Sequence, residues 1–135
     1  MSDRSFFDTT ILIYAVSAGD PRAAVAEKLL AAGGYISVQV LNEFATVARI
    51  KLKMSWEEIG EALAAVRTLC DLPCPLTVKI HETGLAIAAR YGYHLYDSLI
   101  LATALDAECD TVYSEAMQDG QRIGGLTIRN PFAQL

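Results

Sequence analysis

Ser5-Phe6-Phe7-Asp8-Thr9-Thr10-Ile11-Leu12-Ile13-Tyr14-Ala15-Val16, residues 5–16, is the stretch from which the architecture is read. It opens as a short apolar run that ends on an acid, the pattern of a buried strand. Residues 9–16 then continue strongly apolar and predict a helix. The same unit recurs along the chain. Tyr35-Ile36-Ser37 predicts a second short strand, followed by a long helix over roughly 38–52. Between these units, Asp20-Pro21 marks the start of a helix that runs to about Ala32 and stops at Gly33-Gly34. Ser55-Trp56-Glu57-Glu58 resembles a helix entry that narrowly misses a capping box, with its helix reaching about Cys70. Pro73 and Pro75 bracket a connection into a short strand near Leu76, and Thr77 caps a helix that ends at Gly92. A helix over roughly 96–107, a strand at 111–114 and a last strand at 126–129 complete the pattern.

Short strands alternating with helices predict an α/β fold with a mostly parallel sheet and right-handed crossovers. In such sheets the site lies beyond the carboxyl ends of the strands. The positions to inspect are therefore Asp8, Ser37 onward, Thr77, Ser114 onward and Asn130.

With 135 residues the chain is expected to be one domain spanning 1–135, long enough to bury a core without staples. A hydrophobic content of 53% with 20% charged residues excludes a disordered, collagen-like or coiled-coil chain. The net charge of −5 shows none of the cationic excess of a typical nucleic-acid binder, so RNA or DNA would need a local basic patch or a bound metal. Cys70, Cys74 and Cys109 are odd in number and, with no signal peptide in the sequence, suggest a reducing cytosol. Packing is the expected role of all three. No apolar run reaches the ~18 residues of a membrane span, so a soluble chain without membrane partners is expected.

Three acids stand out. Asp8 lies between Phe6-Phe7 and Ile11-Leu12-Ile13, where a carboxylate is costly without compensation. It is either a helix N-cap or a metal ligand at a strand end. Asp97 precedes Ile100, Leu101, Ala104 and Leu105 at i+3, i+4, i+7 and i+8, placing it in the middle of an apolar helical stripe. An inward-pointing site acid and a simple cap both remain open for it. Glu43 falls on the flank of the face marked by Val40, Leu41, Phe44 and Val47, compatible with a cleft or with ordinary surface. Ser114, Glu115 and Asp119 follow the fourth strand. Clustered carboxylates repel unless a cation neutralises them, and oxygen ligands in this number suit Mg²⁺ or Mn²⁺. Hydrolytic enzymes use such clusters to activate water and to stabilise a phosphoryl group in flight.

Four segments carry a resemblance: Phe7-Asp8-Thr9-Thr10-Ile11-Leu12-Ile13-Tyr14, Val40-Leu41-Asn42-Glu43-Phe44, Tyr96-Asp97-Ser98-Leu99-Ile100-Leu101-Ala102-Thr103-Ala104 and Tyr113-Ser114-Glu115-Ala116-Met117-Gln118-Asp119-Gly120. In this order and at these separations the chain resembles the PIN-domain ribonucleases, in particular VapC-type toxins of toxin–antitoxin pairs. The likeness runs essentially to Asn130-Pro131-Phe132. It implies a PIN-like three-layer sandwich, a five-stranded parallel sheet of order 3-2-1-4-5 with helices on both faces. It implies Mg²⁺- or Mn²⁺-dependent cleavage of RNA, a small antitoxin partner and a homodimer. By position Asp8, Glu43 and Asp97 match the family's metal-binding acids, and Ser114 its Ser/Thr after the fourth strand. The family's usual Ser-Glu-Asp here reads Ser114-Glu115-Ala116. Glu115 or Asp119 then replaces the missing acid, or the second metal is weak or absent. Ala116 also favours an alternative, a catalytically weak PIN-like module that acts by binding protein.

Arg49, Lys51 and Lys53 alternate with Ile50, Leu52 and Met54 after Glu43. They are either cations at a helix C-terminus or a phosphate-contacting edge. Arg122 and Arg129 are weaker candidates, His81 and His94 carry no assigned role, and Trp56 is expected in a core or an interface. A phosphoacceptor receiver would need paired acids after the first strand, and a haloacid-type phosphatase a second aspartate where Thr10 stands. Neither pattern is present.

Overall fold

The computed structural model describes residues 4–135. The elements in chain order are β1 (Ser5–Phe7), α1 (Thr9–Ala15), α2 (Arg22–Ala31), α3 (Val38–Ile50), α4 (Trp56–Leu69), α5 (Val78–Tyr91), α6 (Leu95–Asp106), β2 (Thr111–Tyr113), β3 (Arg122–Ile123) and β4 (Leu126–Arg129). The helix starts follow local chemistry. The hydroxyls of Ser37 and Thr77 accept from the backbone N–H groups of Val40 and Ile80. Ser55 and Glu58 form a complete capping box rather than a near miss. Asp20 accepts from the backbone N–H of Arg22 and so opens α2 from one residue outside it. Gly92 closes α5 in the left-handed conformation that glycine adopts without cost.

The sheet corrects the expectation of five parallel strands. It has four strands in the order β1-β2-β4-β3, and β3 runs antiparallel to β4. β1 pairs with β2 in the register Phe7↔Tyr113, and β2 with β4 in the register Tyr113↔Arg129, both parallel. The expected second and third strands survive only as isolated parallel bridges, Phe6↔Tyr35 and Ser37↔Cys74. Pro73 and Pro75 flank Cys74 and have no backbone N–H to donate, so a ladder cannot extend there. Leu76, the expected centre of the third strand, is exposed. The unforeseen antiparallel pair is a hairpin closed by Gly124-Gly125, with Gly124 at φ +60°.

Gly34 is a site of close approach. A Cβ there would lie 2.8 Å from the Ser5 carbonyl and 2.6 Å from the Phe7 ring, so only glycine lets this segment lie against β1. Phe6, Phe7, Val112, Leu126 and Ile128 of the sheet pack with Ile11, Leu12, Phe44 and α6 in one core. α6 itself departs from the amphipathic stripe read from sequence. Ser98 through Ala104 are all buried, so the helix is enclosed on every side and Asp97 marks its end rather than the middle of one face. Among the described residues no helix is long and apolar enough to cross a membrane.

Ser98 Oγ is completely buried in α6 without a hydrogen-bond partner among the described residues. An unsatisfied buried hydroxyl costs about 1 kcal/mol or more, and alanine is the better helix former. Ser98→Ala is therefore expected to stabilise the fold by about 1 kcal/mol, read as a higher urea midpoint with unchanged slope. A lower midpoint would mean that the hydroxyl is satisfied in solution.

Candidate active site

The β1–β2 register brings together two residues 106 positions apart, because Asp8 and Ser114 each follow directly on the paired Phe7 and Tyr113. The Asp8 backbone N–H donates to the Tyr113 carbonyl at 3.0 Å, and the Ser114 N–H to the Arg129 carbonyl at 3.0 Å. The side chains then meet: Ser114 Oγ donates to Asp8 Oδ2 at 2.6 Å. The same hydroxyl accepts from the Ala116 N–H at 3.0 Å, fixing the turn after β2. Asp8 occupies the N-cap position of α1, but its carboxylate makes no cap bond there. Capping therefore does not explain this buried acid.

Glu43 comes from the middle of α3 and is half-buried. Gln39, one turn earlier on the same helix, donates to Oε2 at 2.9 Å, and Thr9 Oγ1 donates to Oε1 at 3.4 Å. Asp97 stands in the first turn of α6, also half-buried; the cap of that helix is His94, whose Nδ1 accepts from the Tyr96 N–H. Asp8, Glu43 and Asp97 line one cavity of about 290 Å³, with Thr10, Tyr14, Lys51 and Ala116 among the other walls.

The electrostatics of the cavity are those of acids short of compensation. Burial pushes the Asp8 carboxyl up to about 6, against hydrogen bonds from Ser114 and the Thr9 backbone, with the charges of Asp97 and Glu43 adding to the rise. Glu43 is raised by burial and by Asp97, with Gln39, Thr9 and His94 opposing. Asp97 is raised by burial, with His94 opposing. His94, given no role from sequence, lies within electrostatic reach of two of the three acids.

Neither proposed replacement for the fourth acid reaches the cavity. Asp119 is exposed, accepts from the Asn130 N–H at 2.9 Å and lines a separate recess with Tyr113 and Arg129. Glu115 turns the other way, held by Arg22 at 3.1 Å and by the Tyr14 hydroxyl. Arg22 also pairs with Asp20 at 2.9 Å and lies 4.0 Å over the Tyr14 ring. Ala116 is the residue of that turn that faces the acids.

Of the three cations after Glu43, the structure brings only Lys51 to the cavity. Arg49 lies 4.9 Å over the ring of exposed Trp56 and donates to the Met54 carbonyl, so Trp56 is not a core residue. Lys53 sits in the left-handed turn that ends the helix, at φ +58°. Sequence reading missed Gln39 and Thr9 as the partners of Glu43. The i, i+4 spacing of Gln39 and Glu43 was the available signal for one; the other needed the packing of α1 on α3.

Residues 5–118 match the PIN domain family, so the chain belongs to it. Among solved structures it is similar to VapC20 of Mycobacterium tuberculosis, a toxin that cleaves the sarcin–ricin loop, at 22% identity over 80% of this chain and 86% of that one, with a TM-score of 0.67. A toxin–antitoxin complex from Klebsiella pneumoniae matches at 23% identity over 94% and 97%, with a TM-score of 0.69. VapBC2 of Rickettsia felis, bound to a DNA fragment from its promoter, matches at 21% over 93% and 97%, with a TM-score of 0.67. At these identities the likeness is one of fold. No curated protein sequence matches the chain.

The donor set fits a hard divalent cation in kind: three carboxylates on three elements line one cavity, and each is raised by burial. Among the described residues no three acid, histidine or cysteine side chains are placed close enough to hold a metal ion between them. Mg²⁺ does not require three, because it usually keeps several waters and uses few protein carboxylates.

The raised Asp8 carboxyl makes the metal-free protein pH-sensitive. An unfolded aspartate ionises near 3.8 and the folded one near 6, so the folded state holds the extra proton in between. The stability this contributes is complete below the unfolded value and is lost as pH rises through about 6. Asp8→Asn removes that loss. In EDTA its stability advantage should be small at pH 4 and grow to roughly 3 kcal/mol at pH 7.5, measured by urea unfolding. A pH-independent difference would contradict the assignment.

Proposed function

We propose that this PIN-domain protein is a divalent-metal-dependent endoribonuclease, the toxin of a toxin–antitoxin pair. The observation that carries the proposal is the meeting of Asp8, Glu43 and Asp97 in one cavity, with Ser114 bonded to Asp8. These acids would hold Mg²⁺ or Mn²⁺. When bound, such an ion supplies Lewis acidity to a phosphoryl oxygen and makes water more acidic. The residues of the chain prepare for it. Ser114 orients Asp8, and Gln39 and Thr9 orient Glu43, so that carboxylate oxygens are not spent on conformational search. Lys51 brings the acid cavity a cation for a backbone phosphate, in a chain whose net charge is −5.

The partner we infer is a small antitoxin protein; the structures similar to this one include toxin–antitoxin complexes. Apolar side chains at Leu72 and Val78 are exposed and suit coverage by another chain, whether antitoxin or a second copy in a homodimer. A second function is favoured by one observation, the alanine facing the acids at 116. A PIN module with weakened metal binding would act by binding protein.

Metal titration with an RNA cleavage assay separates the two. The expected result is endonucleolytic cleavage that requires Mg²⁺ or Mn²⁺ and falls at least about 100-fold in Asp97→Asn, with the fold retained. Ala116→Asp should tighten metal binding and raise turnover. Metal-independent absence of cleavage in the wild type, together with activity gained in Ala116→Asp, would establish the binding module instead.

A further inference from the structure

A second cavity adjoins the acids and is not used by the chemistry above. It measures about 380 Å³ and is lined by Gln39, Asn42, Glu43, Thr46, Val47 and Tyr96. Glu43 and Val47 also line the acid cavity, so the two hollows share a wall. We propose that this second cavity is a nucleobase subsite, which takes one unstacked base of the RNA strand beside the phosphodiester held at the acids. The proposal rests on the nuclease function proposed above and adds the part of the substrate that the acids cannot read.

Three features carry it. The first is Tyr96, a residue 52% exposed although Ser98 through Ala104 after it are all buried. The His94 ring braces it edge-on, with centroids 5.3 Å apart at 64°. A half-exposed aromatic ring that borders a cavity is what a base stacks on, and single-stranded RNA is recognised largely this way. The second is Asn42, an exposed amide of α3. Only its backbone carbonyl is engaged, accepting from Thr46 Oγ1 at 3.1 Å. Among the described residues its side chain makes no hydrogen bond, leaving two donors and an acceptor for a base edge. By contrast, the amide nitrogen of Gln39 is committed to Glu43.

The third feature is charge. Among the described residues, the only charged side chain lining this cavity is Glu43, which disfavours a phosphate there but not a neutral base. The acid cavity, with Lys51 on its wall, offers the phosphate its cation. A strand lying across the shared wall would therefore put base and phosphate into different hollows. The volume also falls within the range of small-ligand pockets.

The two residues have different signatures. Stacking on Tyr96 is sequence-tolerant, so Tyr96→Ala should weaken binding of oligo(A), oligo(C), oligo(G) and oligo(U) alike, by about 10-fold in EDTA, and raise KM for cleavage. Tyr96→Phe keeps the ring and should restore both. Hydrogen bonding by Asn42 is base-selective, so Asn42→Ala should flatten the base preference at one position flanking the cut, read by sequencing cleavage ends. Both positions are exposed, and thermal melts check that the variants remain folded. Wild-type cleavage with an end profile and KM that neither Tyr96→Ala nor Asn42→Ala alters would overturn the subsite and leave the nuclease intact. A wild type that cuts no RNA with either metal would remove the nuclease; RNA binding unchanged in both variants would then remove the subsite as well.

Discussion

The bond from Ser114 to Asp8 is the contact on which the site depends. A carboxylate buried among phenylalanines and isoleucines is costly unless something answers it. The hydroxyl answers it at 2.6 Å, and it can do so only because β1 and β2 are parallel neighbours paired Phe7 to Tyr113. A slip of one residue would turn Asp8 and Ser114 to opposite faces of the sheet. The sheet therefore fixes the first acid, and the turn that follows Ser114 decides what faces it. The hydrogen bonds from Ser114 and the Thr9 backbone do not fully offset burial, as the upward shift of Asp8 shows. The remaining deficit is what a cation can relieve, at the cost of stability in the metal-free protein.

Around that contact, the fourth acid position is vacated by geometry as well as by composition. Glu115 is adjacent in sequence to Ala116, yet only Ala116 lines the acid cavity. Arg22 and Tyr14 hold Glu115 on the far side. Arg22 is itself anchored by Asp20 and stacked on Tyr14, so freeing Glu115 would break several contacts at once. Asp119 is used to tie the chain before Pro131. The cavity thus holds three acids and Lys51, a less negative arrangement than four carboxylates.

Much of this was legible in the chain itself. The alternation of short apolar strands with capped helices indicated the α/β class, because burial period and cap chemistry are local properties. Asp8, Glu43 and Asp97 were recognisable as acids set among apolar residues, and they share a cavity. The weaker parts of the expectation share a cause. Whether 35–37 and the segment around Cys74 make strands depends on partners and free N–H groups, not on their own composition. A helix enclosed on all sides has no polar face, so the period that seemed to place Asp97 mid-stripe was a partial view of a wholly apolar cylinder.

By itself, then, the sequence determined the six helices, the strands at 5–7, 111–113 and 126–129 and their order, and it singled out the acids as candidates, since backbone propensity and hydrophobic period act within one or two turns. Tertiary structure alone decided which groups meet. It joined Asp8 to Ser114 and Gly34 to β1, and brought Lys51, but not Arg49 or Lys53, to the acids. It also sent Glu115 to Arg22 and opened the hollow beneath Tyr96. Those outcomes are set by strand register and by helix packing between residues far apart in the chain, where no local pattern carries the information.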